Sequence, residues 1–115
     1  MKDYEYCPTI QDTIMLTKSD KANDRFEALK TMCPCKVLMD CDEIWERVFE
    51  MAQEEQDSRV RYQIVHTLCD GSPNHREDKV ISTLEGMWND TDLKIRKQVR
   101  RVLNTYRRTG KWNIL

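Results

Sequence analysis

Residues 56–68, Gln-Asp-Ser-Arg-Val-Arg-Tyr-Gln-Ile-Val-His-Thr-Leu, lie over residues 91–103, Thr-Asp-Leu-Lys-Ile-Arg-Lys-Gln-Val-Arg-Arg-Val-Leu, at an offset of 35. Both read Asp, two variable residues, an aliphatic residue and Arg, and then continue with an apolar stripe. A weaker copy at residues 24–33 places Arg25 under Arg61 at an offset of 36, and residues 44–52 lie over residues 80–88 at the same offset. A chain with such a period is built from units that cannot bury their apolar faces alone and must stack on one another.

Each unit reads as two helices. Val80, Ile81, Leu84, Met87 and Trp88 recur at helical spacing, and Ile95, Val99, Val102, Leu103 and Tyr106 continue the pattern. Stop signals agree: residues 70–73, Asp-Gly-Ser-Pro, end one helix, Cys33-Pro34 ends another, and Gly110 closes the last. Asp40 with Glu43 reads as a capping box opening the helix that carries Trp45. The pattern predicts six helices, near 9–18, 22–33, 41–54, 57–70, 76–89 and 92–108, in three antiparallel pairs.

Composition supports an all-α chain, because three Gly and three Pro are too few for dense turns while Leu, Met, Glu, Gln, Lys and Arg favour helix. With 39% apolar and 34% charged residues in 115, one domain spanning 1–115 is expected. The longest apolar stretches, 14–16 and 37–39, are far short of the roughly 20 residues that span a bilayer. No membrane association is expected. The opening Met-Lys-Asp-Tyr-Glu-Tyr carries acids where a secretory signal carries a basic region, so a cytoplasmic location is expected. Five cysteines, Cys7, Cys33, Cys35, Cys41 and Cys69, then argue for reduced thiols.

The helix pairs, the acid-rich turns and the Asp-x-x-Val-Arg start of the second helix together resemble HEAT repeats, over residues 40–108 above all. The resemblance implies a right-handed α-solenoid of three HEAT-like antiparallel helix pairs, approximately 9–35, 40–71 and 75–110, with the second helices lining one face. In HEAT repeats the residue six before the Arg is commonly acidic and helps to tie successive repeats, which maps here onto Glu55 with Arg61 and Asp90 with Arg96. The first repeat departs, with Ser19 at the acidic position and Asp24 at the aliphatic one. The family spans scaffolds, adaptors, nucleic-acid binders and a few enzymes, so it speaks to architecture more than to function.

Charge carries the sharpest functional signal. Residues 1–57 hold seven Lys or Arg against fourteen Asp or Glu, and residues 58–115 hold twelve against six, so the halves stand at −7 and +6. After Asp92 no acid follows, yet Lys94, Arg96, Lys97, Arg100, Arg101, Arg107, Arg108 and Lys111 do. Lys94, Lys97, Arg101 and Arg108 are spaced to share one exposed face, which either grips an acidic group or is simply a solvated face set against the helix dipole. A further use of the split charge is head-to-tail self-association.

The remaining candidates favour packing over chemistry. Cys33, Cys35 and Cys41, with Cys69 or His66, offer thiolates and imidazole to a metal. The Cys-Pro-Cys spacing is not a zinc knuckle, however, and Cys33 and Cys69 sit at equivalent helix ends, as small buried hydrophobes do. Neither a metal nor a cofactor is expected. No Gly-rich phosphate loop, nucleophile elbow or His-x-x-x-His pair is present, so no catalytic residue is assigned and enzyme activity, lyase or glycosylase, is disfavoured. His66 falls mid-helix as a hydrogen-bonded core or groove residue, and His75 in a solvated loop. Trp45 and Trp88 belong to the apolar stripe. Trp112 alone is a tryptophan to test as a contact residue, although the tail Trp-Asn-Ile-Leu at 112–115 is expected to fold back over the last pair rather than project.

The sequence therefore predicts a binding module, an adaptor or scaffold. Its candidate contacts are Arg59, Gln63, His66, Lys94, Lys97, Gln98, Arg101 and Arg108, offered to a protein partner with an acidic surface. The alternative is nucleic-acid binding through the basic last helix.

Overall fold

The computed structural model describes residues 10–32, 41–70 and 72–115. Regular structure among them is entirely helical: α1 (Ile10–Leu16), α2 (Ala22–Thr31), α3 (Asp42–Glu54), α4 (Ser58–Leu68), a 3-10 turn at Asn74–Arg76, α5 (Glu77–Glu85) and α6 (Leu93–Thr109). Among the described residues no helix is long and apolar enough to cross a membrane.

The repeated Asp is a helix cap. Asp57 accepts from the amides of Arg59 and Val60, and Asp92, its counterpart, accepts from the amide of Ile95. Each satisfies N–H groups that the first helical turn leaves without partners. In the first copy the equivalent position holds Lys21, in an extended conformation with no side-chain cap. The two other departures of that copy are coupled: half-buried Asp24, at the aliphatic position, accepts from the Ser19 hydroxyl at 2.6 Å. At the C-terminus of α6, Gly110 adopts φ 79° and donates to the Tyr106 carbonyl, a left-handed cap that only glycine takes without strain.

Helix limits differ from expectation where local chemistry intervenes. The N-cap of α3 is Cys41, which makes no side-chain cap; Asp40, expected to open this helix with Glu43, lies outside the described residues. Cys33, expected at the end of α2, lies outside them too. Where α5 was expected to run on to residue 89, it ends before Gly86. The amides of Met87 and Trp88 then donate three residues back, to Leu84 and Glu85, because glycine is a poor helix former.

Contacts link α1, α3 and α5 in succession and α2, α4 and α6 in succession, and they join α1 to α2, α3 to α4 and α5 to α6. The core between them is continuous, with Leu29, Trp45, Val48, Ile64, Val65, Leu68, Leu84, Ile95, Val99, Val102 and Leu103 buried. Trp45 is in the core as expected. Trp88 is only half-buried, packed against the core edge with the guanidinium groups of Arg100 and Arg107 at 4.8 and 5.1 Å from its ring centroid.

The repeated arginines tie the helices together. Arg25 grips Glu55 with Nε at 2.9 Å and Nη2 at 2.8 Å, while its Nη1 donates to the Ser19 carbonyl. Arg61 grips Asp90 in the same way, and its Nη1 donates to the carbonyls of Gln56 and Glu55. Glu55, six residues before Arg61, thus gives Arg61 its backbone carbonyl and gives its carboxylate to Arg25, and Asp90 serves Arg96 and Arg61 in the same way. The two acids that the sequence marks as ties between repeats, Glu55 and Asp90, therefore reach with their carboxylates to the arginine of the preceding copy, Arg25 and Arg61.

The tail folds back, as expected. Trp112 is 4% exposed, set edge-on to Tyr106, and its indole N–H donates to the Ser72 hydroxyl at 2.8 Å. Ser72 in turn donates to the Leu68 carbonyl, Asn113 bonds the Ser72 backbone, and the Leu115 amide donates to the Cys69 carbonyl at 2.9 Å. Trp112 is therefore a core residue and not the contact residue its place beyond the last helix suggested. The helix cap at Gly110 turns the chain back toward the core, and the indole finds its hydrogen-bond partner inside.

Candidate interaction site

All eight candidate residues lie on α4 and α6, which pack together. The two helices sit in register: the Gln98 amide donates to the Tyr62 hydroxyl across the groove at 3.4 Å. Lys94, Lys97, Arg101 and Arg108 are all exposed, as their spacing requires once Ile95, Val99 and Val102 face inward. Their charges are uncompensated, since no carboxylate pairs with any of them among the described residues.

On α4, exposed Arg59 stacks its guanidinium 3.9 Å from the ring centroid of Phe26, a contact that fixes the cation over α2. Half-buried Gln63 donates to the Thr67 hydroxyl at 3.4 Å. Its amide is therefore partly committed within its own helix. His66 is half-exposed, with Nε2 at 3.9 Å from Asp70, so it lies outside the core. The neighbour that the sequence reading omitted is Tyr62, 38% exposed and bonded to Gln98 of α6. Its place over Lys97 in the 35-residue alignment was the available signal.

The other cations of α6 serve the fold. Arg96 donates to the carbonyls of Asp90 and Thr91, and Arg100 to the Trp88 carbonyl and the Asn89 side chain. Arg107 covers Trp88. One face of α6 thus stabilises the end of the molecule, and the other displays charge.

Cys69 is fully buried at the end of α4, and burial pushes its thiol up to about 12. That is the opposite of what a thiolate ligand needs. Among the described residues no group of His, Cys, Asp and Glu is arranged to hold a metal ion; Cys33 and Cys35 lie outside them. A shallow cavity of about 390 Å³ near the α1–α2 turn is lined by Arg25 and Arg47. Both are already engaged, Arg25 with Glu55 and Arg47 with Thr17, Glu50 and Glu54. No family model matches the chain, and no curated protein and no solved structure matches it either.

Proposed function

We propose that this chain is a right-handed α-solenoid of three HEAT-like helix pairs, and that it acts in the cytoplasm as a non-enzymatic adaptor or scaffold. Its outer face of α4 and α6 binds an acidic protein partner. The observation that carries the reading is the run of exposed Lys94, Lys97, Arg101 and Arg108 along α6, which no carboxylate neutralises among the described residues. Cations fixed on a rigid helix attract an anionic surface and orient it, and Arg59 extends the run onto α4.

Charge distribution favours a protein over a nucleic acid. The basic face is confined to the second half of the chain, and residues 1–57 carry −7. A protein footprint of about 800 Å² fits on two helices, whereas a duplex running past them meets repulsion. One observation favours the second reading: Tyr62 on α4 is exposed and its hydroxyl accepts from Gln98 of the basic helix, which offers an aromatic ring for a base to stack on.

Fluorescence anisotropy with a labelled oligo-glutamate peptide, and with duplex and single-stranded DNA and RNA, at about 50 and 200 mM salt separates the readings. The adaptor reading expects the peptide to bind, Lys97→Glu with Arg101→Glu to abolish that binding, and the nucleic acids to stay free. Micromolar nucleic-acid binding with a steep salt slope replaces it with the second reading. Binding of neither probe overturns both.

A further inference from the structure

The third repeat holds an arginine placed like its two predecessors but, among the described residues, without the carboxylate that each of them grips. Arg96 Nη1 donates to the carbonyls of Asp90 at 2.8 Å and Thr91 at 3.3 Å, repeating the backbone anchor of Arg61 on Glu55 and Gln56. The Nε and Nη2 edge of Arg25 is filled by Glu55, and that of Arg61 by Asp90. No described residue accepts from the same edge of Arg96.

We propose that the Arg96 guanidinium edge is a docking site for an Asp or Glu carboxylate of a protein partner. The molecule contains two occupied versions of this site, which fix both the ligand class and its two-point geometry. Anchoring of Nη1 orients the edge before any partner arrives, so little rotamer freedom remains to be lost on binding.

The surroundings define the partner further. Arg96, Arg100 and Arg107 recur at intervals of four and seven on a side of α6 distinct from Lys94, Lys97, Arg101 and Arg108, so this site is separate from the outer face. Where the second repeat has buried Phe49 and Val65, this side has exposed Glu85 and half-buried Arg100. Trp88 lies beneath Arg100 and Arg107, and Leu93 is 54% exposed one turn before Arg96. A surface of Arg, Trp and one apolar side chain suits a polar protein segment, as the centres of protein interfaces do. It does not suit another apolar helix pair. A second copy stacked in register also fails to supply the ligand, because the ladder position of its first repeat is Ser19 and not an acid.

The test follows arginine Nε–H signals by 15N NMR while the full chain is titrated with acetyl-Trp-Asn-Asp-Thr-amide, a copy of residues 88–91, or with the same peptide carrying Asn for its Asp. The Arg96 signal is expected to shift saturably with the Asp peptide and about tenfold more weakly with the Asn peptide. Arg25 and Arg61, already held, should stay still. Arg96→Lys keeps the charge but loses both the two-point edge and its own Nε–H signal, so it is read on the backbone amides around residue 96, which the Asp peptide should shift saturably in wild type and leave in place in the variant. A static Arg96 signal, equal response to both peptides, or parallel shifts at Arg101 and Arg108 would overturn the proposal. The last of these outcomes still leaves the outer-face reading standing, so the two fail separately.

Discussion

Arg61 holds Asp90 at two points, Nε to Oδ2 at 2.9 Å and Nη2 to Oδ1 at 3.0 Å, with the side chains only 14% and 8% exposed. The pair joins the start of α4 to the turn before α6. Removing one partner leaves the other charge mostly out of water, which costs about 3 kcal/mol. Asp90→Asn and Arg61→Met should each lower the unfolding free energy obtained from urea titration by that measure. The double variant should recover part of the loss, because it strands no charge. Two single-site losses that simply add in the double variant would show that the residues act independently.

The same carboxylate governs acid stability. Burial pushes Asp90 up, but the Arg61 hydrogen bonds, the Asp92 amide and the positive charges of Arg61 and Arg96 together outweigh burial and hold it below the ordinary carboxylate value. A depressed folded value means that the unfolded chain takes up the proton first. Its contribution to stability is therefore complete above about pH 4 and is lost as pH falls further toward the folded value. Unfolding free energy of Asp90→Asn should consequently fall less steeply than wild type over that acid range.

The tail contributes through Trp112, whose ring fills a buried site against Tyr106 while its N–H satisfies Ser72. Trp112→Ala should cost about 3–5 kcal/mol, and Trp112→Phe, which keeps an aromatic ring but leaves the Ser72 hydroxyl without its donor, about 1–3 kcal/mol. Urea unfolding followed by circular dichroism measures both. A near-neutral Trp112→Ala would mean that the tail detaches in solution.

Periodicity made the helices among the described residues legible: Asp57 and Asp92 cap α4 and α6, Ile64, Val99 and their neighbours fill the core, and Gly110 stops the last helix. The exposed run on α6 was legible for the same reason: a helix that buries Ile95, Val99 and Val102 must turn Lys94, Lys97 and Arg101 outward. Contacts between repeats were not legible. Spacing within one copy cannot show that Arg61 reaches forward to Asp90 and not to Glu55, nor that Arg100 and Arg107 fold over Trp88. The fold-back of the tail was legible, but the full burial of Trp112 was not, because it depends on Ser72, which is distant in sequence and carries no pattern of its own.

Cys69 provides a test from the alkaline side. It lies at the end of α4, beneath the tail that bonds its carbonyl, and burial alone raises its thiol to about 12. In the unfolded chain the thiol ionises at about 8.5, so between that value and about 12 the unfolded state has released a proton that the folded state keeps. Stability is therefore complete below pH 8.5 and declines as pH rises through this window. In a variant with Cys69 as its sole cysteine, a thiol reagent at about pH 8.5 should react only as fast as the protein opens, and added urea should accelerate it. Replacing Cys69 by Ala in that background should flatten the alkaline limb of the stability curve. Rapid labelling of the native protein without urea would mean that the tail does not cover the thiol and that the core is open at the end of α4.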